Sequence, residues 1–178
     1  AIFGASTATL RAAPLIFWSG YVVLVGWLAG EIVDRKMAPV AAVLAAVGPA
    51  TVVYHAHFAF GGSGAELMFL GTAQVALALS IAQHGQSLDA HRRRRFFALG
   101  ILIGFSLWIH FLSAVYALAV LAYLLAHQDV RWRGLQPWLR PLFAGSVLGF
   151  APMLLWNALN GRQIGGRDRN RLHHLAPG

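Results

Sequence analysis

A small set of polar side chains lies beside or within long apolar stretches of this sequence. Such groups are costly to hold at a membrane, and they often mark a site. Carboxylates and imidazoles transfer protons, imidazoles also bind metals, and guanidiniums bind phosphate. The candidate site residues are Arg11, Tyr54, His55, His57, Glu66 and His110.

Glu66 follows Ser63 with the S-x-x-E spacing of a helix capping box. In that motif each side chain accepts a hydrogen bond from a backbone amide that the first helical turn leaves unpaired. Glu66 is therefore either the capping partner of Ser63 or an acidic residue of a functional site.

The histidines give only weak indications of a metal. His55 and His57 form an H-x-H pair, but zinc normally takes three or four protein ligands and no acidic cluster lies nearby. The sequence contains no cysteine, so thiolate ligands and disulfides are excluded. We therefore predict no metal site and no cofactor, with a divalent cation left open. His110 is expected at a helical turn, where backbone groups are open to partners.

Arg11 lies immediately before the first apolar stretch. Its long side chain either extends to the membrane interface as an anchor or binds the phosphate of an anionic lipid. Both interpretations place it at the edge of a bilayer.

The elements that must position these residues are membrane helices. Mean hydropathy is +0.61, and hydrophobic residues make up 58% of the chain against 11% charged. A bilayer core requires roughly 20 apolar residues per helical span. Apolar stretches at residues 14–33, 39–60, 65–83, 96–126 and 141–159 predict an all-α, polytopic transmembrane helical bundle.

The net charge of +8 does not indicate nucleic acid as a partner. The basic residues lie just outside the apolar stretches, which is typical of cytoplasmic anchors that contact membrane lipids. They are Arg35, Lys36, Arg92 to Arg95, Arg131, Arg133 and Arg140.

The apolar run at residues 96–126 is too long for one straight span. As a single helix it would measure about 46 Å against a core of about 30 Å. Because basic segments flank both ends, we predict a hairpin of two short helices that turns near residues 108–110, with both ends cytoplasmic. This gives about six membrane segments.

Two other features complete the predicted topology. Gly48 and Pro49 should break the second span, since proline removes a backbone donor. The last span should emerge at Asn160 and Gly161, which places the arginine-containing tail outside, against the simple charge rule. The chain begins with Ala1 and lacks signal-peptide features. We expect residues 1–178 to be a single transmembrane domain fragment without its N-terminal helix and first outer loop.

Several segments, in this order, resemble the GT-C membrane glycosyltransferases that use polyprenyl-phosphate sugars, such as protein O-mannosyltransferases and aminoarabinose transferases. Residues 10–14, LRAAP, are similar to the family's L-R-x-P-S opening of a membrane helix. Residues 49–54 resemble its P-x-x-x-x-Y segment, and residues 58–66 lead to a position that is often acidic. Residues 99–125, with Gly100, Gly104, Trp108 and His110, resemble its G-x-x-x-G-x-x-x-W-x-H stretch of short paired helices. Residues 148–161, LGFAPMLLWNALNG, resemble its G-x-x-P-x-x-x-x-N-x-x-x-G exit.

The resemblance implies transfer of a sugar from a polyprenyl phosphate to a lipid, glycan or protein acceptor outside the cytoplasm, in a bacterial inner membrane. It implies that Glu66 is the second outer acidic residue and that Arg11 binds the lipid phosphate. Tyr54, His55, His57 and His110 would contribute to substrate binding. The family's usual general base is an aspartate on the first outer loop, which none of the six acidic residues here matches.

Two other classes of protein remain open. A polytopic transporter should show buried charge pairs or half-helix ion sites in matching halves, and neither is visible in the sequence. A non-catalytic membrane subunit would not need an acidic outer loop.

Overall fold

The computed structural model describes residues 7–48, 64–83, 89–126 and 132–173, and within these ranges all regular secondary structure is α-helical. The all-α prediction is confirmed there. The helices are α1 (Thr7–Ile32), α2 (Met37–Val47), α3 (Ala65–Gln83), α4 (Asp89–Ile109), α5 (Ser113–Ala126) and α6 (Trp132–His173).

Within the described ranges, three helices contain segments that are long and apolar enough to cross a membrane: Pro14–Ile32, Ala65–Gln83 and Pro137–Asn160. α2 and α5 are apolar but have only 11 and 14 residues, which correspond to about 16 and 21 Å. The membrane character of the chain therefore rests on three helices. The count of six membrane segments stays a prediction.

The first two helices form a tight antiparallel hairpin. The Asp34 carboxylate accepts a hydrogen bond from the Lys36 amide at 3.2 Å, and the Asp34 carbonyl accepts one from Met37 at 2.8 Å. α2 then ends at Gly48, whose φ of 33° is readily adopted only by glycine. The predicted break at Gly48 is confirmed, and the remainder of that predicted span, residues 49–60, lies outside the described residues.

α3 and α4 run antiparallel. The Arg95 guanidinium donates to the Ser80 carbonyl at 2.9 Å near the end of α3. The Gln74 amide, farther back on α3, donates to the Ser106 hydroxyl near the end of α4 at 2.8 Å. The start of α3 and the end of α4 therefore lie at the same end of the bundle.

The predicted hairpin at residues 96–126 is confirmed as two helices. α4 ends at Ile109, a turn occupies residues 110–112, and α5 begins at Ser113. Its last buried residue, Leu124, belongs to the same apolar core as Ile81 and Phe96, which lie near the end of α3 and the start of α4.

α4 and α6 make the closest approach in the bundle. A Cβ on any of four glycines would overlap a carbonyl oxygen of the other helix, so only glycine permits this separation. The four are Gly100, Gly104, Gly145 and Gly149. Gly100 lies against the Leu142 carbonyl, and one turn later Gly104 lies against the Ser146 carbonyl. Residue numbers rise together on both helices, so α4 and α6 are parallel.

The bounds of α1 and α6 differ from the predicted spans. α1 begins at Thr7, about two turns before Pro14. The apolar part of α6 ends at Asn160, as predicted, but the helix continues to His173. The Asn160 side chain donates to the Trp156 carbonyl one turn back at 3.1 Å, within its own helix, instead of capping a helix end.

Candidate functional site

The candidate residues are distributed over three places. Glu66 is the second residue of α3 and is half-buried, while His110 lies in the turn between α4 and α5. Because α3 and α4 are antiparallel, these two residues lie at the same end of the bundle. Arg11 lies in the first half of α1, before Pro14. Tyr54, His55 and His57 lie outside the described residues, as does Ser63, so the capping box stays a prediction.

Glu66 lies in the first turn of α3. The unpaired amides of a helix start give that end a partial positive charge, which stabilises a carboxylate there.

His110 organises the start of α5. Its Nδ1 accepts a hydrogen bond from the Leu112 amide at 3.1 Å, and its carbonyl accepts one from Ser113 at 3.0 Å. The imidazole also stacks on the Phe111 ring, with centroids 5.1 Å apart and planes 17° apart. Because Nδ1 acts as an acceptor, the proton of the neutral ring is on Nε2. The structure thus places His110 at the turn, with Nε2–H as the donor of the neutral ring.

Three polar residues that are buried below this end of the bundle were not predicted from the sequence. Gln74, Ser106 and Ser113 are at most 1% exposed. The Ser106 hydroxyl accepts from Gln74 and donates to the Ile103 carbonyl at 2.9 Å. A glutamine in the apolar stretch of α3 is the signal that could have found this group, since polar residues inside a span are costly.

Two atoms of this group lack a hydrogen-bond partner within the described residues: Gln74 Oε1 and Ser113 Oγ. Leaving a buried polar atom unpaired costs about 1–3 kcal/mol. A bound hydroxyl group or water that donates to Gln74 Oε1 would recover that free energy.

The described residues contain no cluster of three or more metal-ligating side chains. The polar groups that the structure describes at or below this end of the bundle include the Glu66 carboxylate, the His110 Nε2–H donor and the Gln74 and Ser113 oxygens. This combination can orient a polyhydroxyl ligand and stabilise positive charge that develops on it.

Comparisons with protein-family models, with curated proteins and with solved structures found no match for this chain.

Proposed function

We propose that this chain is the transmembrane domain of a GT-C type glycosyltransferase, which transfers a sugar from a polyprenyl phosphate to a lipid, glycan or protein acceptor. The observation that carries the proposal is the shared placement of Glu66 and His110 at one end of the bundle. Glu66 lies in the first turn of α3, and His110 lies in the turn between α4 and α5, at the end of the G-x-x-x-G-x-x-x-W-x-H segment.

The proposed topology has six membrane segments in a bacterial inner membrane, with Glu66 and His110 on the non-cytoplasmic face. Basic residues support this orientation, because α4 and α6 are parallel and both carry arginines near their starts. On the opposite face, sugar hydroxyls would meet the Nε2–H of His110 and, deeper, the unpaired oxygen of Gln74.

Glu66 is proposed to act through its charge. An oxocarbenium-like sugar carries positive charge as its bond to the phosphate breaks, and a nearby carboxylate stabilises it. The general base that takes the acceptor's proton is not assigned to any of the six acidic residues of this sequence. Arg11 is proposed to bind the phosphate of the donor through two hydrogen bonds.

The decisive experiment substitutes Glu66→Gln in the full-length protein. Glutamine also serves at this helix position, so the start of α3 is retained while the charge is lost. We expect sugar transfer from a polyprenyl-phosphate donor to fall by about tenfold or more, equivalent to roughly 1.4 kcal/mol, with unchanged folded yield.

Glu31→Gln is the matched control. Glu31 is an exposed glutamate at the C-terminal end of α1, and the loss of its charge should leave transfer unchanged. Equal transfer by the Glu66→Gln and Glu31→Gln proteins would leave Glu66 only as a cap. Complete absence of transfer by the unsubstituted full-length protein would instead favour a transporter or a non-catalytic membrane subunit.

A further inference from the structure

The four consecutive arginines near the start of α4, Arg92 to Arg95, have different neighbours. Arg92 lies over the Trp138 ring of α6, with its guanidinium carbon 5.1 Å from the ring centroid. Arg95 donates to the Ser80 carbonyl of α3 at 2.9 Å. These two arginines therefore join helices, as a cation–π contact and a hydrogen bond can do inside a bundle.

The other two arginines, Arg93 and Arg94, line an open cleft between α4 and α6, together with Arg140 of α6. All three side chains are exposed, and none of the described residues that line the cleft is acidic. Three guanidiniums thus converge on one space, with no carboxylate among the described residues of its wall. An anion in the cleft would relieve their mutual repulsion.

The size and walls of the cleft indicate which anion fits. Its volume is about 550 Å³, within the range of small-molecule sites. Phe97 and Pro141 supply apolar walls beside the arginines. An inorganic anion would use only the charged part, whereas a phospholipid offers a phosphate for the guanidiniums and a glycerol and acyl region for the apolar walls.

The cleft also lies at the correct depth for a lipid headgroup. It comes directly before the segment where Gly100 and Gly145 hold the two helices together, so it opens where the apolar parts of α4 and α6 begin. The glycine contacts fix the spacing of the helices below it and so fix the distance between Arg140 and the arginines of α4. We propose that this cleft binds the phosphate of an anionic phospholipid from the cytoplasmic leaflet.

The test compares two double variants of the full chain in phosphatidylcholine nanodiscs, with phosphatidylglycerol as the probe lipid. Arg93→Gln with Arg140→Gln removes two charges from the cleft. Arg35→Gln with Lys36→Gln removes two exposed charges from the α1–α2 turn, outside the cleft. Native mass spectrometry gives the affinity for phosphatidylglycerol in each case.

We expect the cleft variant to lose at least about tenfold in affinity and the turn variant less than about twofold, because only the first loses guanidinium–phosphate contacts. Arg93→Lys with Arg140→Lys should give an intermediate affinity, since lysine keeps the charge but not the planar pair of donors. This variant keeps the proposal testable if the glutamine variant fails to fold.

Two results would overturn the proposal. Equal losses in the cleft and turn variants would mean that lipid is held only by the general positive charge of this end of the bundle. Inorganic phosphate that binds in phosphatidylcholine nanodiscs as tightly as phosphatidylglycerol does would mean that the site takes free phosphate and makes no use of the lipid.

Discussion

At the scale of single residues, the structure gives His110 a defined structural task. Its Nδ1 accepts the Leu112 amide, a role that serine, asparagine or aspartate commonly has at the start of a helix. The opposite edge of the ring, Nε2, is not used in this contact. A substitution that keeps a hydrogen-bond acceptor at the position of Nδ1 but removes the Nε2–H donor can therefore separate the structural role of His110 from ligand binding.

We expect His110→Asn to unfold at nearly the temperature of the unsubstituted protein, because the Asn side-chain oxygen can replace Nδ1 as the acceptor for Leu112. His110→Ala removes the acceptor, which should cost about 1 kcal/mol and lower the unfolding temperature by about 2–4 °C. Thermal unfolding in detergent measures both. A similar loss in the two variants would show that stacking on Phe111, and not the hydrogen bond, stabilises the turn.

The same pair of variants tests ligand binding. Neither Asn nor Ala presents a donor at the position of Nε2, so sugar transfer by the full-length protein should fall in both if Nε2–H binds substrate. Full transfer by His110→Asn would confine His110 to its role in the turn.

At the scale of helices, the contact between α4 and α6 is the most restrictive feature of the fold. Its four glycines bring backbone against backbone, as expected where helices associate without a hydrophobic driving force. Close approach also brings Cα–H groups near carbonyl oxygens, a weak stabilising contact. Gly30 is less constrained, because a Cβ there would meet the Ala38 Cβ at 3.4 Å.

Gly104→Ala should therefore destabilise the protein by at least about 1–3 kcal/mol, the usual cost of overpacking, because the Ser146 carbonyl is backbone and cannot move aside alone. Gly30→Ala is the control and should be neutral or slightly stabilising, since alanine is the better helix former. Unfolding temperatures in detergent compare the two variants. Equal temperatures would mean that α4 and α6 do not approach as closely as described.

At the scale of the whole molecule, the distribution of apolar side chains is compatible with a surrounding membrane. Ile16, Phe143 and Leu159 are 70–73% exposed, and none of the residues of α2 is buried. Soluble proteins rarely expose such extensive apolar surface. The parallel direction of α4 and α6 also places both of their basic starts at one end of the bundle, as the predicted hairpin requires.

This topology predicts a labelling pattern for single cysteines, which can be introduced cleanly because the chain has none. Cysteines at Ser87 and Gln136, before α4 and near the start of α6, should be protected from a membrane-impermeant thiol reagent added outside intact cells. A cysteine at Ser63 should react. Reaction at only one of the first two positions would require a single long span in place of the hairpin.

Local chemistry determined a large part of this protein from the sequence alone. Helical class, the break at Gly48 and Pro49 and a turn near residues 108–110 are predicted from apolar run length, from proline and from the reach of a helix across a bilayer, all of which depend on neighbouring residues only. The structure places that turn slightly later, at residues 110–112. The continuation of α6 beyond Asn160 escaped prediction because the Asn160 side chain bonds back to its own helix.

Only the tertiary structure decided which residues of other helices these side chains contact. Successive residues point about 100° apart around a helix, so four adjacent arginines face different neighbours, and only packing decides which helix each one meets. The same holds for Gln74, whose partner Ser106 lies 32 residues away, and for Arg93 and Arg140, which belong to different helices. Sequence composition can place a polar group in a membrane, but its partner depends on the direction and spacing of helices, which the glycines of α4 and α6 set through contact.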